Sequence, residues 1–187
     1  MTTTREVLRQ EAVEQHGYIS RAAALRAGVS PHALRLLVDR GRLERVAHGV
    51  YRDPTVPATG NDLLHLAVLW TGVEDACLSH ETALAAFDLG DVNPDRIHVT
   101  VPAHHYRLRR RGGEAYEVHY ENLDPEQVGW FDQIPTVTPA TAIAQCTAYG
   151  TPSYLLRQAI DAGRKAGRLT TLQVRTLRTE LDRRDAR

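Results

Sequence analysis

The sequence predicts an α+β protein in which a small helical module ending in a β-hairpin precedes a mixed α/β domain, with a small sheet packed by helices. Three observations favour this fold class. Apolar residues recur at helical spacing near the start, alternating segments typical of strands appear in the second half, and glycine or proline separates these segments. We predict an N-terminal domain of residues 1–53 and a C-terminal domain of residues 54–187.

Length and composition place further limits on the protein. With 187 residues, of which 42% are hydrophobic, the chain can bury a core. No segment approaches the roughly 20 apolar residues of a membrane span, and the first residues lack the apolar core of a signal peptide. Cys77 and Cys146 lie far apart and form no metal-binding pair. We therefore expect a globular cytoplasmic protein with two buried thiols and no membrane partner.

Charge is distributed unevenly, although the net charge is zero. Residues 20–52 contain seven arginines and two acidic residues, residues 104–111 contain four arginines, and residues 157–187 are also basic. The segments between these three blocks are acidic. This pattern directs attention to the first block as a surface for a polyanion.

Two short helices are predicted at the start of the chain. The first covers residues 5–16 and ends at Gly17, since glycine readily adopts the left-handed conformation that ends a helix. A short extended piece, residues 18–19, follows. Ser20 then caps a second helix over residues 21–27, because its hydroxyl can accept from a free backbone N–H.

A third helix begins at the step Ser30-Pro31, since serine caps a helix and proline is tolerated at its first position. Gly41 ends it. With the second helix it forms a helix-turn-helix. His32 and Arg35 point outward, and the buried face is formed by Ala33, Leu34, Leu37 and Val38.

Two short strands, residues 43–46 and 50–52, are predicted around the turn Ala47-His48-Gly49. A helix-turn-helix followed by such a hairpin is a winged helix. Near the start of a recognition helix, His32 and Arg35 are placed to contact base edges, and the other cations are placed to contact phosphates. The predicted DNA-binding set is Arg21, Ser30, His32, Arg35, Arg40, Arg42, Arg45, His48 and Arg52. The alternative is a solvated surface that contacts protein.

Sequence segments in both domains point to one family. The N-terminal domain contains Gly17-Tyr18-Ile19-Ser20, Ala27-Gly28-Val29-Ser30, residues 37–46 and Gly49-Val50-Tyr51-Arg52, in this order. The C-terminal domain contains residues 78–84, residues 96–102 followed by the arginine run, and residues 136–141. In these segments the chain resembles the AbiEi family of antitoxins. The resemblance implies binding to operator inverted repeats in double-stranded DNA, repression of its own operon, and neutralisation of a cognate nucleotidyltransferase-like toxin.

The C-terminal domain is predicted to begin after a linker of residues 53–62. Its helices are expected at residues 63–70, at residues 80–87 with Ser79 as cap, and at the steps Thr138-Pro139 and Thr151-Pro152. A last helix is capped by Thr170 or Thr171 and carries Leu172, Leu177 and Leu181. Strands are expected at residues 97–101, 116–119 and 134–137.

We predict that the protein is not an enzyme and has no cofactor or metal. Ser79-His80-Glu81 has the residue types of a hydrolase, but neighbours on a helix point in different directions. We interpret the remaining candidate ligands as core or surface residues: His98, His104, His105 and His119. Lys165 is the only lysine, which excludes a phosphate-binding loop and argues against a restriction-type nuclease. The sequence contains no Asp-x-Asp pair, which argues against a two-metal nucleotidyltransferase.

The arginine run after the predicted strand 97–101 has two interpretations. Arg107, Arg109, Arg110 and Arg111 are candidates for an additional contact with DNA or with an acidic partner, or they form a solvated loop. For the whole chain, the sequence favours an autoregulatory antitoxin. The alternative is a plain winged-helix regulator with a ligand- or protein-sensing second domain. A nuclease would cleave nucleic acid with a metal, and we expect no such cleavage.

Overall fold

The computed structural model describes residues 4–105, 108 and 111–187, and it confirms the predicted α+β class. The chain divides into two compact units. The first unit contains the chain up to Glu74 and, in addition, a short separate segment that ends at Gly113. The second begins at Asp75 and resumes at Glu114. The predicted domain boundary between residues 53 and 54 stays a prediction.

Three helices of the first unit begin and end where local signals placed them: α1 (Thr4–Glu14), α2 (Arg21–Arg26) and α3 (Pro31–Asp39). The hydroxyl of Ser20 accepts from the backbone N–H of Ala23 at 3.0 Å, and so caps α2. Gly17 and Gly28 have φ of +86° and +81°, in the left-handed region that favours glycine. The helices enclose a small core of Leu8, Ala12, Ile19, Ala24, Val29, Leu34 and Leu43.

The wing hairpin belongs to a three-stranded antiparallel sheet with the order β1-β3-β2. Its strands are β1 (Tyr18–Ser20), β2 (Glu44–Ala47) and β3 (Val50–Arg52). The hairpin β2-β3 confirms the predicted wing. The extended piece before α2 becomes the third strand of the sheet, since Ile19 pairs with Tyr51. This pairing ties the start of the helix-turn-helix to the wing.

Helix α4 (Asp62–Thr71) belongs to the first unit and packs on β1 and β3. His65 is buried on this helix, with its ring centroid 6.2 Å from that of Tyr18. At the first residue of the helix, Asp62 accepts from the backbone N–H and the hydroxyl of Thr59. Burial raises the pKa of Asp62, but the bonds from Thr59 and the neighbouring Arg52 outweigh burial, so that this pKa lies below its ordinary value.

The second unit contains a mixed five-stranded sheet with the order β6-β5-β4-β8-β7. Its strands are β4 (Cys77–Leu78), β5 (Ile97–Val101), β6 (Tyr116–Tyr120), β7 (Val128–Phe131) and β8 (Ile134–Val137). The pairs β5-β6 and β4-β8 are parallel, and the pairs β4-β5 and β7-β8 are antiparallel. The sequence predicted β5, β6 and β8. It missed β4, which is only two residues long, and β7.

The second unit also contains the helices α5 (His80–Ala86), α6 (Pro139–Tyr149), α7 (Ser153–Lys165) and α8 (Thr171–Asp185). Helix α5 contacts β5 and β8, α6 contacts α5, and α7 and α8 contact α6 and each other. Thr138 caps α6, and Thr170 forms a capping box with Gln173 at the start of α8. The core contains Leu84, Ile143, Leu156, Ile160, Leu177 and Leu181.

Two predicted caps are wrong. The hydroxyl of Ser79 lies 3.1 Å from Nδ1 of His80 and makes no cap bond with α5. Thr151 donates its hydroxyl to Oε1 of Glu81 at 2.7 Å and does not cap α7. Thr151 bonds a residue distant in sequence in place of the local backbone N–H, whereas Ser79 contacts the ring of its neighbour. On α8, Leu172 is 63% exposed, whereas Val174, Leu177 and Leu181 are buried.

Both cysteines are free and buried, as expected. Burial raises the pKa of Cys77 and of Cys146 to about 12 in each case. Across the part of the chain that is described, helices remain too short or too polar to cross a membrane.

Candidate nucleic-acid interface

The outer face of α3 is the centre of the candidate interface. The hydroxyl of Ser30 accepts from the backbone N–H of Ala33 at 3.1 Å, which fixes the first turn. Leu34 is buried, with 1% of its side chain exposed. His32 and Arg35 are exposed on the opposite side. The amphipathic helix therefore presents both predicted base-contacting residues at its N-terminal end.

A tight reversal connects α3 to the wing. Gly41 has a φ of +62°, and the backbone N–H of Arg42 donates to the carbonyl of Leu37 at 2.8 Å. Arg40 and Arg42 flank this glycine and are both exposed. The reversal thus places two guanidinium groups directly after the helix.

The wing turn is attached to the start of α2. The backbone N–H of Arg21 donates to the carbonyl of Gly49 at 2.7 Å. Nη2 of Arg45 lies 3.4 Å from Nδ1 of His48. Arg21, Arg45 and His48 are all exposed. These contacts bring three cationic or titratable side chains from two different elements to one end of the wing.

Arg52 is the exception in the predicted set. Its side chain is only 18% exposed, and Nη2 lies 3.6 Å from a carboxylate oxygen of Asp62. The same nitrogen donates to the carbonyl of Val56 at 3.2 Å. The structure therefore assigns Arg52 to the junction between the wing and α4, where it stabilises the fold and is occupied by partners within the chain.

The winged-helix segment matches a known protein family. Residues 6–52 match the family described as "Transcriptional regulator, AbiEi antitoxin". The match confirms the AbiEi resemblance for the winged helix, and the C-terminal segments lie outside it. The matched family is one of regulators, not of enzymes.

The whole fold is similar to a solved structure, "Crystal structure of RV2827C protein from Mycobacterium tuberculosis". The two chains share 16% sequence identity with a TM-score of 0.51, and the alignment covers 93% of this chain and 70% of that one. This similarity supports the α+β fold. The comparison with curated proteins gave no match.

The structure describes only the end of the arginine run that follows β5. Arg107, Arg109 and Arg110 lie outside the described residues. Arg111 is exposed, and its carbonyl accepts from Nε1 of Trp70 on α4 at 2.9 Å. The end of the run is therefore attached to the same compact unit as the wing.

Four histidines were interpreted from the sequence as core or surface residues, and the structure brings them into two groups. His104 and His105 contact each other, with ring centroids 4.1 Å apart. His98 and His119 come together with His80, which the sequence placed only in the segment Ser79-His80-Glu81. Spacing along the chain could not reveal this cluster, because its members come from α5, β5 and β6.

The contact between Ser79 and His80 also differs from the expectation that neighbours on a helix point apart. His80 has a φ of +49°, in the left-handed region, so the backbone turns sharply where α5 begins. This turn brings the hydroxyl of Ser79 to the ring of His80. Ser79 is fully buried, and a substrate in solvent cannot reach its hydroxyl.

Proposed function

We propose that this protein is an autoregulatory antitoxin that binds operator inverted repeats through its winged helix and neutralises a nucleotidyltransferase-like toxin in the cytoplasm. The observation that carries the proposal is the exposed cationic surface on α3 and the wing, within the segment that matches the AbiEi regulators. Charge, helix orientation and hairpin coincide there, as DNA binding requires.

Two roles follow from position on this surface. Arg35 and His32 lie at the N-terminal half of α3, from which side chains reach base edges in the major groove. Arginine can donate two hydrogen bonds to guanine, and such a pair contributes about 1–3 kcal/mol of discrimination. The set for phosphates and helix positioning is Arg21, Ser30, Arg40, Arg42, Arg45 and His48.

The arginine run extends the proposed interface. Arg111 is exposed and attached to α4 through Trp70, in the same unit as the winged helix. We assign Arg107, Arg109, Arg110 and Arg111 to a supplementary contact with the DNA backbone. This contact adds affinity that depends on salt and carries little sequence information.

Titration of a fluorescent duplex from the upstream region of the gene tests the DNA part of the proposal. Arg35→Ala is expected to reduce the preference for this duplex over a scrambled one by about 5- to 150-fold. Arg45→Ala is expected to weaken binding to both duplexes equally. Arg175→Ala is the matched control, since Arg175 is exposed on α8. Equal, unchanged binding by the first two variants would contradict the assigned roles.

Coexpression of the full chain with the neighbouring toxin tests neutralisation separately. If the C-terminal domain neutralises the toxin, Arg35→Ala should lose repression of the operon and still restore growth. Loss of rescue by a stably expressed Arg35→Ala variant would instead tie neutralisation to DNA binding.

A plain regulator with a sensing second domain is the alternative function. A cavity of about 420 Å³ in the second unit favours it, with His119, Glu121, Gln145 and Tyr149 among its lining residues. In that case the chain binds its upstream duplex but fails to rescue growth in the presence of any neighbouring toxin.

A further inference from the structure

Three histidines from separate elements meet inside the second unit. His80 begins α5, His98 lies on β5 and His119 lies on β6. The first two are buried and the third is half-buried. Each ring offers one nitrogen, and these three atoms all lie within 4.8 Å of one another. The neighbouring parallel strands β5 and β6 hold two of the three rings side by side.

The distances suit one small cation. Nδ1 of His98 lies 2.9 Å from Nε2 of His119. In a tetrahedral zinc site, nitrogens at about 2.0–2.1 Å from the metal are about 3.3 Å apart. The rings of His98 and His119 are nearly parallel, with 10° between their planes, so a tilt of the rings together with a small increase in separation converts this hydrogen-bonded pair into two ligands, once the bridging proton has moved to the other nitrogen of its own ring. The ring of His80 is stacked on that of His119, with centroids 3.5 Å apart, and it also tilts to direct its nitrogen at the same ion.

Neighbouring polar groups contact one ring and the backbone of two of these histidines. When the Ser79 hydroxyl accepts from Nδ1–H of His80, at 3.1 Å, the lone pair on Nε2 of that ring can bind a ligand. The backbone N–H of His98 donates to the hydroxyl of Thr82 at 2.8 Å. The backbone N–H of His80 donates to Oε1 of Gln145 at 3.3 Å. In known metal sites, a partner of the second ring nitrogen, such as Ser79 beside His80, holds a histidine ligand in place.

The protonation state and the surrounding charge also favour a cation. Burial lowers the pKa of His80 to about 3 and that of His119 to about 4, and it lowers the pKa of His98 as well. The carboxylates of Glu81 and Glu117 act electrostatically on His98, and they offset the positive charge of a bound metal.

We propose that His80, His98 and His119 bind one zinc ion per chain. Three imidazole nitrogens with an open fourth position form a donor set that zinc favours. A cavity of about 420 Å³ has His80 and His119 in its wall, so a fourth ligand would reach the ion from this side. Water or a small anion from this cavity completes the tetrahedron. The ion links α5 to β5 and β6, and so it cross-links three segments that are distant in sequence.

Titration of the full chain with zinc in competition with a chromophoric chelator tests the site. After removal of metal with a chelator, the wild-type protein is expected to take up one equivalent of zinc. His119→Ala should weaken this binding by more than about 100-fold, since one of three ligands is lost. The control is the double variant His104→Ala/His105→Ala, which removes a contacting histidine pair outside the cluster and should bind zinc as the wild type does.

Cobalt provides a second measurement that does not depend on the alanine variant remaining folded. Co²⁺ in the wild-type site should give the visible bands of tetrahedral coordination. His119→Cys keeps a ligand at this position, so it should retain the bands and add a thiolate-to-cobalt charge-transfer band. Both endogenous cysteines are buried thiols and should contribute none.

Three results would overturn the proposal. These are less than one equivalent of zinc in the wild type, equal zinc affinity in wild type and His119→Ala, or loss of binding in the His104→Ala/His105→Ala control. Duplex binding by the same samples shows that the winged helix is intact, so failure of the metal site is distinguishable from failure of the proposed DNA function.

Discussion

The two compact units use their polar residues in opposite ways. In the first, Arg35, Arg42 and Arg45 stand exposed on elements that follow one another within a few residues. In the second, His80, His98 and His119 are withdrawn from solvent and come from elements separated by about 20 residues each. Exposed charge remains solvated, whereas burial lowers the pKa of the histidines and favours their neutral form. The first arrangement suits a large polyanion, and the second suits a small ion that is enclosed.

The two units should differ most in how strongly their binding depends on salt concentration. We assume that Arg21, Arg40, Arg42 and Arg45 each contact a phosphate. Raising salt from 50 to 200 mM should then weaken DNA binding about 150-fold if one protein chain binds the duplex, and about 2 × 10⁴-fold if two chains bind it. Zinc binding involves enclosed groups and should change little. Fluorescence anisotropy for DNA and chelator competition for zinc measure both at each salt concentration. A salt-independent DNA affinity would remove the electrostatic basis of the comparison.

Core truncations should disable one unit at a time. Leu34→Ala beneath the recognition helix and Leu84→Ala on α5 each remove a buried side chain and should cost about 2–5 kcal/mol of unfolding free energy. The first is expected to raise the Kd for DNA, and the second the Kd for zinc. Urea unfolding with both binding assays checks this. If each variant impairs both activities equally, the units are not functionally separable.

A smaller effect is expected where the arginine run meets α4. A Cβ at Gly113 would lie 2.4 Å from Cζ2 of Trp70, so Gly113→Ala must displace a rigid ring and weaken its bond to the carbonyl of Arg111. We expect a loss of about 1–3 kcal/mol by urea unfolding. The control is Gly112→Ser, because nothing lies within 4 Å of a Cβ there, although its φ of +76° still adds some strain. A Gly113→Ala variant with wild-type stability would mean that this attachment is loose.

Helix caps give the smallest expected change. Ser30→Ala and Thr170→Ala each remove a hydroxyl that accepts from a backbone N–H, and each should cost about 1 kcal/mol in thermal unfolding. Only Ser30→Ala should also reduce DNA affinity, because only α3 belongs to the proposed interface. Equal DNA affinity in both variants would argue against α3 as the recognition helix.

The sequence predicted most of the fold where the signals were local. The step Ser30-Pro31, the glycines after each early helix and the alternation in β5 fix backbone conformation through neighbouring residues alone. The exposed face of α3 followed from helical spacing, and so did its candidate base contacts. Elements as short as β4 gave no periodic signal, because two residues cannot show an alternation.

What the sequence determined by itself was the order of the helices, the wing and the distribution of charge along the chain, since these depend on contacts between near neighbours. Tertiary structure alone decided that Arg52 pairs with Asp62, that Thr151 bonds Glu81 in place of a helix end, and that three histidines converge. These outcomes depend on which distant segments pack together, because a buried polar group takes whatever partner the fold brings within hydrogen-bonding distance.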